Sequence, residues 1–296
     1  MRLLPTKPFS RASLAAPVAA LIGLGAVVPM AMFLVISVYS VDFDSYTLQP
    51  NFTMASWREV WTHASYWILI GKTLNNGLLA VVMTAIVGYP LALALSRLPK
   101  SAKGAALVIL LTPLYTGEIV RVYAWRLVLG QDGLVNALLM FAHVISEPLR
   151  FLLFSPFATH LALFYDDLPF MALALWVAVE RVDSRLIEAA RDLGCRPTTA
   201  FRLVILPLTG PGLAAGTFMV FALAGGEALA PNLLGGTTGA TPMTMIDNLF
   251  GTAFDWPTAS ALALTLLLVL LFAAFLLSGL ALVLSGGLRP LRRSFA

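Results

Sequence analysis

The chain has 296 residues, of which 59% are hydrophobic and 11% charged, with a net charge of +4 and a mean hydropathy of +0.87. Those values describe an integral membrane protein rather than one or two soluble domains. The single cysteine, Cys195, excludes an intramolecular disulfide framework and a multi-cysteine metal site. The basic residues sit in short polar gaps, not in the aromatic-interleaved stripe that would suit nucleic acid.

A helix needs ~20 apolar residues to cross the hydrocarbon core. Six segments meet that length, at about 14–38, 67–95, 105–129, 152–179, 206–229 and 259–284, within one transmembrane domain covering 1–296. The first is too long for the apolar part of a cleaved signal and is followed by no small-residue cleavage site, so it reads as a retained span. Lysine and arginine mark the cytoplasmic side. They gather at Arg2, Lys7 and Arg11, at Arg97, Lys100 and Lys103, at Arg181, Arg185, Arg191, Arg196 and Arg202, and at Arg289, Arg292 and Arg293. That distribution predicts cytoplasmic termini. Interior prolines Pro17, Pro29, Pro90, Pro113 and Pro169 each remove a backbone hydrogen bond and predict a kinked bundle.

Carboxylates at membrane depth are costly, on the order of 2.5 to 3.5 kcal/mol at a helix centre, and so face a bundle interior or water. Glu118 in the third span, Asp166 and Asp167 in the fourth and Glu227 at the end of the fifth meet that description, and inward-facing acids would favour a cation. Each has a plainer reading. Glu118 stands three residues before Arg121 and could pair with it along a helix face. Adjacent residues diverge by about 100°, so Asp166 and Asp167 cannot both face one path, and one could meet water or Arg121. Tyr115 and Trp125, with Tyr123, Phe164, Tyr165, Phe170 and Trp176, offer cation–π faces but serve equally well as packing. His63, His143 and His160 are too dispersed in sequence to suggest a shared metal.

Between the fourth and fifth spans lies "RVDSRLIEAARDLGCRPTTAFRLVILPL", read as a helix, a turn and a second helix over about 183–205. Asp183 or Ser184 suits an N-cap, Gly194 the left-handed residue that ends a helix, and Pro197 a new start. Leu186, Ala189, Ala190 and Leu193 share an apolar side, with Arg185, Glu188, Arg191 and Asp192 over the rest. On patterning alone this is a solvated connector or a helix lying in the lipid interface. In the fifth span, Gly212 and Gly216 have the spacing that lets helices approach closely.

One spacing is more specific. Glu188-Ala189-Ala190, Gly194 after three intervening residues, then Val204 and Leu206-Pro207 resemble the cytoplasmic signature of permease subunits of binding-protein-dependent ABC importers. "GYPLALALSR", "RVYAWRLVLGQDGLVNALL", "GEALAPNLLGG" and "DWPTASALAL" are similar to the spermidine/putrescine branch, above all to the first of its two permeases. The resemblance implies an all-α, six-helix type I ABC importer permease fold with a cytoplasmic coupling helix. It also implies a bacterial inner-membrane location, with membrane lipid around the spans. The implied partners are a second, different permease, two copies of a cytoplasmic ATPase and a periplasmic solute-binding protein. ATP and Mg would be bound by the ATPase, with no cofactor in this chain.

The same resemblance assigns ATPase coupling to Glu188, Ala189, Ala190, Arg191, Asp192, Gly194, Leu206 and Pro207. It places Glu227 where similar permeases also carry an acid. At "FYDDLPF" and at Glu118 in "LYTGEIVR" those relatives carry uncharged or small residues, a departure that widens the cargo from polyamines to opines, aminophosphonates, thiamine or ferric iron. An ion-coupled secondary carrier would also use buried acids, but no internal repeat supports it. An intramembrane enzyme would need a catalytic constellation, and none stands out.

Overall fold

Long apolar runs broken mainly by short polar gaps give a helical protein, and the computed structural model describes residues 11–286 of it, the side chains of residues 11–20, 22 and 238 aside. Arg2, Lys7, Arg289, Arg292 and Arg293 lie outside the described residues. The described chain divides into two compact units. One is built from residues up to 64 together with 246–265, the other from 65–245 together with the residues from 266 on.

In the first unit, α1 (Arg11–Ile36) is followed by a small antiparallel ribbon, β1 (Ser40–Asp42) and β2 (Thr47–Gln49), in which Val41 faces Leu48. This ribbon is an exception to the expected all-helical chain. Its turn is held by Asp42, which accepts bonds from the Asp44 amide at 3.0 Å and the Ser45 hydroxyl at 2.8 Å. Those donors hold the Asp42 carboxyl below the usual carboxylate range. Helix α2 (Ala55–Thr62) returns to α1 through Trp57, whose Nε1 donates to Ser37 Oγ at 3.0 Å. Phe33 meets Phe250, and Phe250 meets Trp256, each at 5.8 Å between ring centres.

The second unit contains α3 (Ala64–Ser96), α4 (Lys100–Tyr115), α5 (Glu118–Leu129), α6 (Leu134–Phe141) and α7 (Pro156–Glu180). It continues through α8 (Ser184–Asp192), α9 (Pro197–Ala200), a π-helical turn at Phe201–Ile205, α10 (Leu206–Gly226) and α11 (Leu229–Leu234). Helices α12 (Pro242–Gly251) and α13 (Trp256–Leu284) contribute residues to both units.

Among the described residues four helices are long and apolar enough to span a membrane: Ala64–Ser96, Pro156–Glu180, the continuous Pro197–Gly226, and Trp256–Leu284. The protein is therefore a multi-pass membrane protein. The expected first span coincides with most of α1, a 26-residue helix. The expected third span, 105–129, is not one straight helix, because the chain bends by 91° between α4 and the segment that begins at Glu118. The local cause is chemical. Pro113 has no amide hydrogen to donate, and Thr116 and Gly117 both take extended backbone angles, so the helical ladder stops and restarts.

The core of this unit is where α3, α7 and α10 meet, around Leu163, Met171, Leu175, Val220 and Phe221. Gly212 and Gly216 do what their spacing predicts. A Cβ on Gly212 would stand 2.8 Å from the Ala174 carbonyl oxygen, and one on Gly216 would stand 2.6 Å from Met171 Sδ. Gly212 therefore permits backbone contact between α7 and α10, and Gly216 makes room for the Met171 side chain. The π turn just precedes Pro207, whose ring would crowd the carbonyl four residues back in a regular helix. Thr209 Oγ1 donates to the Ile205 carbonyl at 2.8 Å and lies 3.2 Å from the Tyr89 hydroxyl. The Tyr89 ring meets Phe201 edge-on at 5.2 Å. The irregular turn is thus clamped by α3.

Candidate functional site

Glu118 opens α5, where its negative charge suits the helix N-terminus and where the bend after α4 places it beside the helix bundle. Arg121, one turn on, does not pair with Glu118. Its Nε lies 3.0 Å from Asp166 Oδ1 on α7, with both side chains 15% exposed. Its Nη1 reaches back across the bend to the carbonyls of Pro113 at 2.6 Å and Thr116 at 3.2 Å. One guanidinium therefore caps α4, belongs to α5 and neutralises an acid of α7. The expectation that one of the two adjacent aspartates meets Arg121 holds for Asp166.

Asp167 turns the other way, as the 100° step requires. It is 4% exposed, and its Oδ2 has no hydrogen-bond partner among the described residues. Across from α7, the Glu118 and Glu227 carboxyl groups meet within hydrogen-bonding reach of one another. Glu227 ends α10, and its Oε1 also accepts from the Ala230 amide at 3.0 Å, capping α11. Asp167 lies within electrostatic range of Asp166, Glu227 and Arg121. Four acids from three separated stretches of chain thus form one cluster around a single arginine.

The aromatic residues divide. Trp125 packs edge-on against Tyr165 with ring centres 5.6 Å apart, joining α5 to α7 one residue before Asp166. Tyr115 ends α4, is 85% exposed and is not among the residues the cluster gathers. Tyr123 and Phe154 flank Arg126, whose guanidinium carbon stands 5.7 and 5.5 Å from their ring centres. Trp176 donates to Glu180 at 3.1 Å, and Lys103 also pairs with Glu180, tying α4 to the end of α7.

Sequence reasoning gave no role to several polar residues. The fully buried Asn136 accepts from the Leu149 amide at 2.8 Å and donates to the Gly130 carbonyl at 3.0 Å. His160 Nε2 lies 3.1 Å from Asn76 Oδ1. An amide or imidazole inside an apolar run is the signal that could have found them. Among the described residues no group of three or more His, Cys, Asp and Glu is arranged to hold a metal ion.

At the far end of α7, α8 has the caps that its residues predict. Asp183 accepts from the Arg185 amide at 3.0 Å. The Gly194 amide donates to Arg191 at 2.8 Å and the Cys195 amide to Ala190 at 3.0 Å, the paired bonds of a Schellman ending. Gly194 has φ +78°, and a Cβ there would meet nothing within 4 Å, so backbone conformation rather than space selects glycine. The expected apolar side of α8 is not buried as a stripe. Ala190 is buried, whereas Leu186 is 48% and Leu193 84% exposed, because only the face carrying Ala190 turns toward the rest of the chain. Glu188, Ala189, Arg191 and Asp192 are exposed beside those leucines. Leu206 and Pro207 lie on the far side of the π turn, at the start of α10.

The family model for the binding-protein-dependent transport system inner membrane component matches residues 7–285. The spermidine/putrescine transport system permease protein PotB of Salmonella typhimurium (strain SL1344) is 34% identical over 205 residues, covering 69% of this chain and 71% of that protein. The inner membrane ABC transporter permease protein YdcU of Escherichia coli (strain K12) is 32% identical over 249 residues, covering 79% of this chain and 78% of its own length. Among solved structures, a chain from the crystal structure of a bacterial alginate ABC transporter in complex with alginate pentasaccharide-bound periplasmic protein aligns with a TM-score of 0.68. The alignment covers 90% of this chain and 91% of that one at 14% identity, a likeness of fold. A family match over nearly the whole chain, close relatives and a shared fold agree: this protein belongs to the binding-protein-dependent transport system inner membrane components, the permeases of ABC transporters.

Proposed function

We propose that this permease moves a small polyamine-like cation into the cytoplasm by alternating access. The observation that carries the reading is the cluster of Glu118, Asp166, Asp167 and Glu227 around Arg121. Buried and half-buried acids in excess of bases favour a positively charged solute, which replaces the hydration they have lost. The relatives named for spermidine and putrescine support that cargo. Trp125 holds the α5–α7 contact beside the path, and Tyr115 stands where a second permease could cover it.

In this reading the chain lies in the bacterial inner membrane with both termini cytoplasmic, its six spans being α1, α3, the bent α4–α5 segment, α7, α9–α10 and α13. It pairs with a second, different permease and works with two copies of a cytoplasmic ATPase and a periplasmic solute-binding protein. ATP and Mg belong to the ATPase. The exposed Leu186 and Leu193 and the charges of Glu188, Arg191 and Asp192 form the surface on which the ATPase acts. Gly194, Leu206 and Pro207 transmit its movement into α10.

Uptake of labelled spermidine by the assembled transporter tests the proposal. Uptake should require the cognate ATPase and fall to background when ATP hydrolysis is blocked. Uptake that persists without the ATPase would make the protein an ion-coupled carrier instead. Transport only of neutral or anionic solutes would refute the cationic cargo.

A further inference from the structure

We infer that Arg121 is a specificity-determining residue: it is a built-in counter-ion that cancels one acid of the cluster, so that the remaining acids favour cargo carrying two or more separated positive charges. The inference rests on the cation reading above. Its basis is the unequal treatment of the four acids. Asp166 has an ion-pair partner, since Arg121 Nε stands 3.0 Å from its Oδ1, in a geometry that makes no hydrogen bond. Among the described residues none of the other three forms an ion pair with that base. Glu118 and Glu227 present their carboxyl groups to each other, an arrangement that repels when both are ionised and that a cation between them would relieve. Asp167 is 4% exposed, with Oδ2 lacking any hydrogen-bond partner among the described residues. A buried oxygen left unpaired is costly, and a donor arriving with the cargo would satisfy it.

Arg121 is also held away from direct pairing with these other acids. Its Nη1 is committed to the Pro113 and Thr116 carbonyls, which fix the guanidinium at the α4–α5 bend. A lysine there could supply the charge but not the fork that holds two carbonyls and a carboxylate at once. Four carboxyl groups against one fixed base leave an excess of three, which carries negative charge to the extent that an arriving cation draws off their protons. A monovalent cation leaves most of that excess unmatched, whereas a linear di- or triamine places charges at both the Glu118–Glu227 pair and Asp167.

The test is competition between putrescine, spermidine and spermine, as di-, tri- and tetra-amine probes, for uptake by the assembled transporter with its own receptor. The receptor is the same for every variant, so a change in the ratio among the amines reports the permease. Arg121→Gln raises the acidic excess to four and should shift uptake toward the more highly charged amines by roughly tenfold, as an added unit charge at close range in a partly buried site implies. Asp166→Asn lowers the excess to two and should shift the ratio the other way. It also serves if Arg121→Gln fails to reach the membrane. The double variant restores an excess of three and should return the ratio to that of the unmutated protein. Efficient uptake with an unchanged ratio in both single variants would overturn the role of Arg121 while leaving the cation pathway standing. Failure of the unmutated transporter to move any of the three amines would overturn both.

Discussion

Glu188 and Asp167 are both carboxylates on helices of the same unit, yet their surroundings differ in almost every physical respect. Glu188 stands exposed on a nine-residue helix whose ends are capped by its own sequence. Asp167 is buried in a 25-residue helix beside groups from two other parts of the chain. The first is suited to a partner that comes and goes, because an exposed charge is already hydrated and loses little when left alone. The second keeps an unpaired oxygen away from water, a costly condition that a ligand bringing a donor relieves. In the proposed function, charge at the surface serves docking and charge in the interior serves passage.

That contrast can be broken at either end. The largest effect should come from Gly194→Val, which forces a β-branched residue into φ +78° and distorts the joint between α8 and α9. Uptake should fall to background while immunoblots of the membrane fraction show normal amounts of protein, and near-normal uptake would sever α8 from the transport cycle. Next is Asp167→Asn, which keeps the shape and removes the charge. Uptake should drop roughly 10- to 100-fold, the loss of one buried charged contact, with the complex still assembling on a gel-filtration column. Glu188→Lys reverses a screened surface charge, so receptor-stimulated ATP hydrolysis should weaken by only about fivefold. The smallest is Trp125→Phe, which preserves an edge-on contact with Tyr165. Initial uptake rates should change by less than about twofold. A larger loss would move Trp125 from packing to cargo contact.

The two regions also differ in how far their residues announced them. The α8 turn is local, and Asp183, Gly194 and Pro197 each act on neighbours a few positions away, so spacing alone was enough to place caps and joint. Only the outward face of α8 escaped, because exposure of Leu186 and Leu193 depends on what the rest of the chain leaves uncovered. The acids were visible as charges in apolar runs, but their pairing was not. Helical spacing favoured Glu118 with Arg121, whereas the bend after Pro113 turns Arg121 toward Asp166 and back to the α4 carbonyls. Hydropathy reads 105–129 as continuous because it averages over Thr116 and Gly117, whose backbone angles end the helix. The π turn is equally silent, since Pro207 marks a disturbance without specifying how Phe201–Ile205 absorbs it.

The continuous helix from Pro197 to Gly226 has a mechanical consequence. Its 30 residues form a rod with the α8 joint at one end and Glu227 immediately beyond the other. At 1.5 Å per residue the rod is about 45 Å long, so a tilt of ~5° about its Pro197 end would displace the Glu227 end by about 4 Å. A small angle at the surface becomes a distance larger than a hydrogen bond at the acids, and leverage rather than any large rearrangement would be enough to open or close the gap between Glu227 and Glu118.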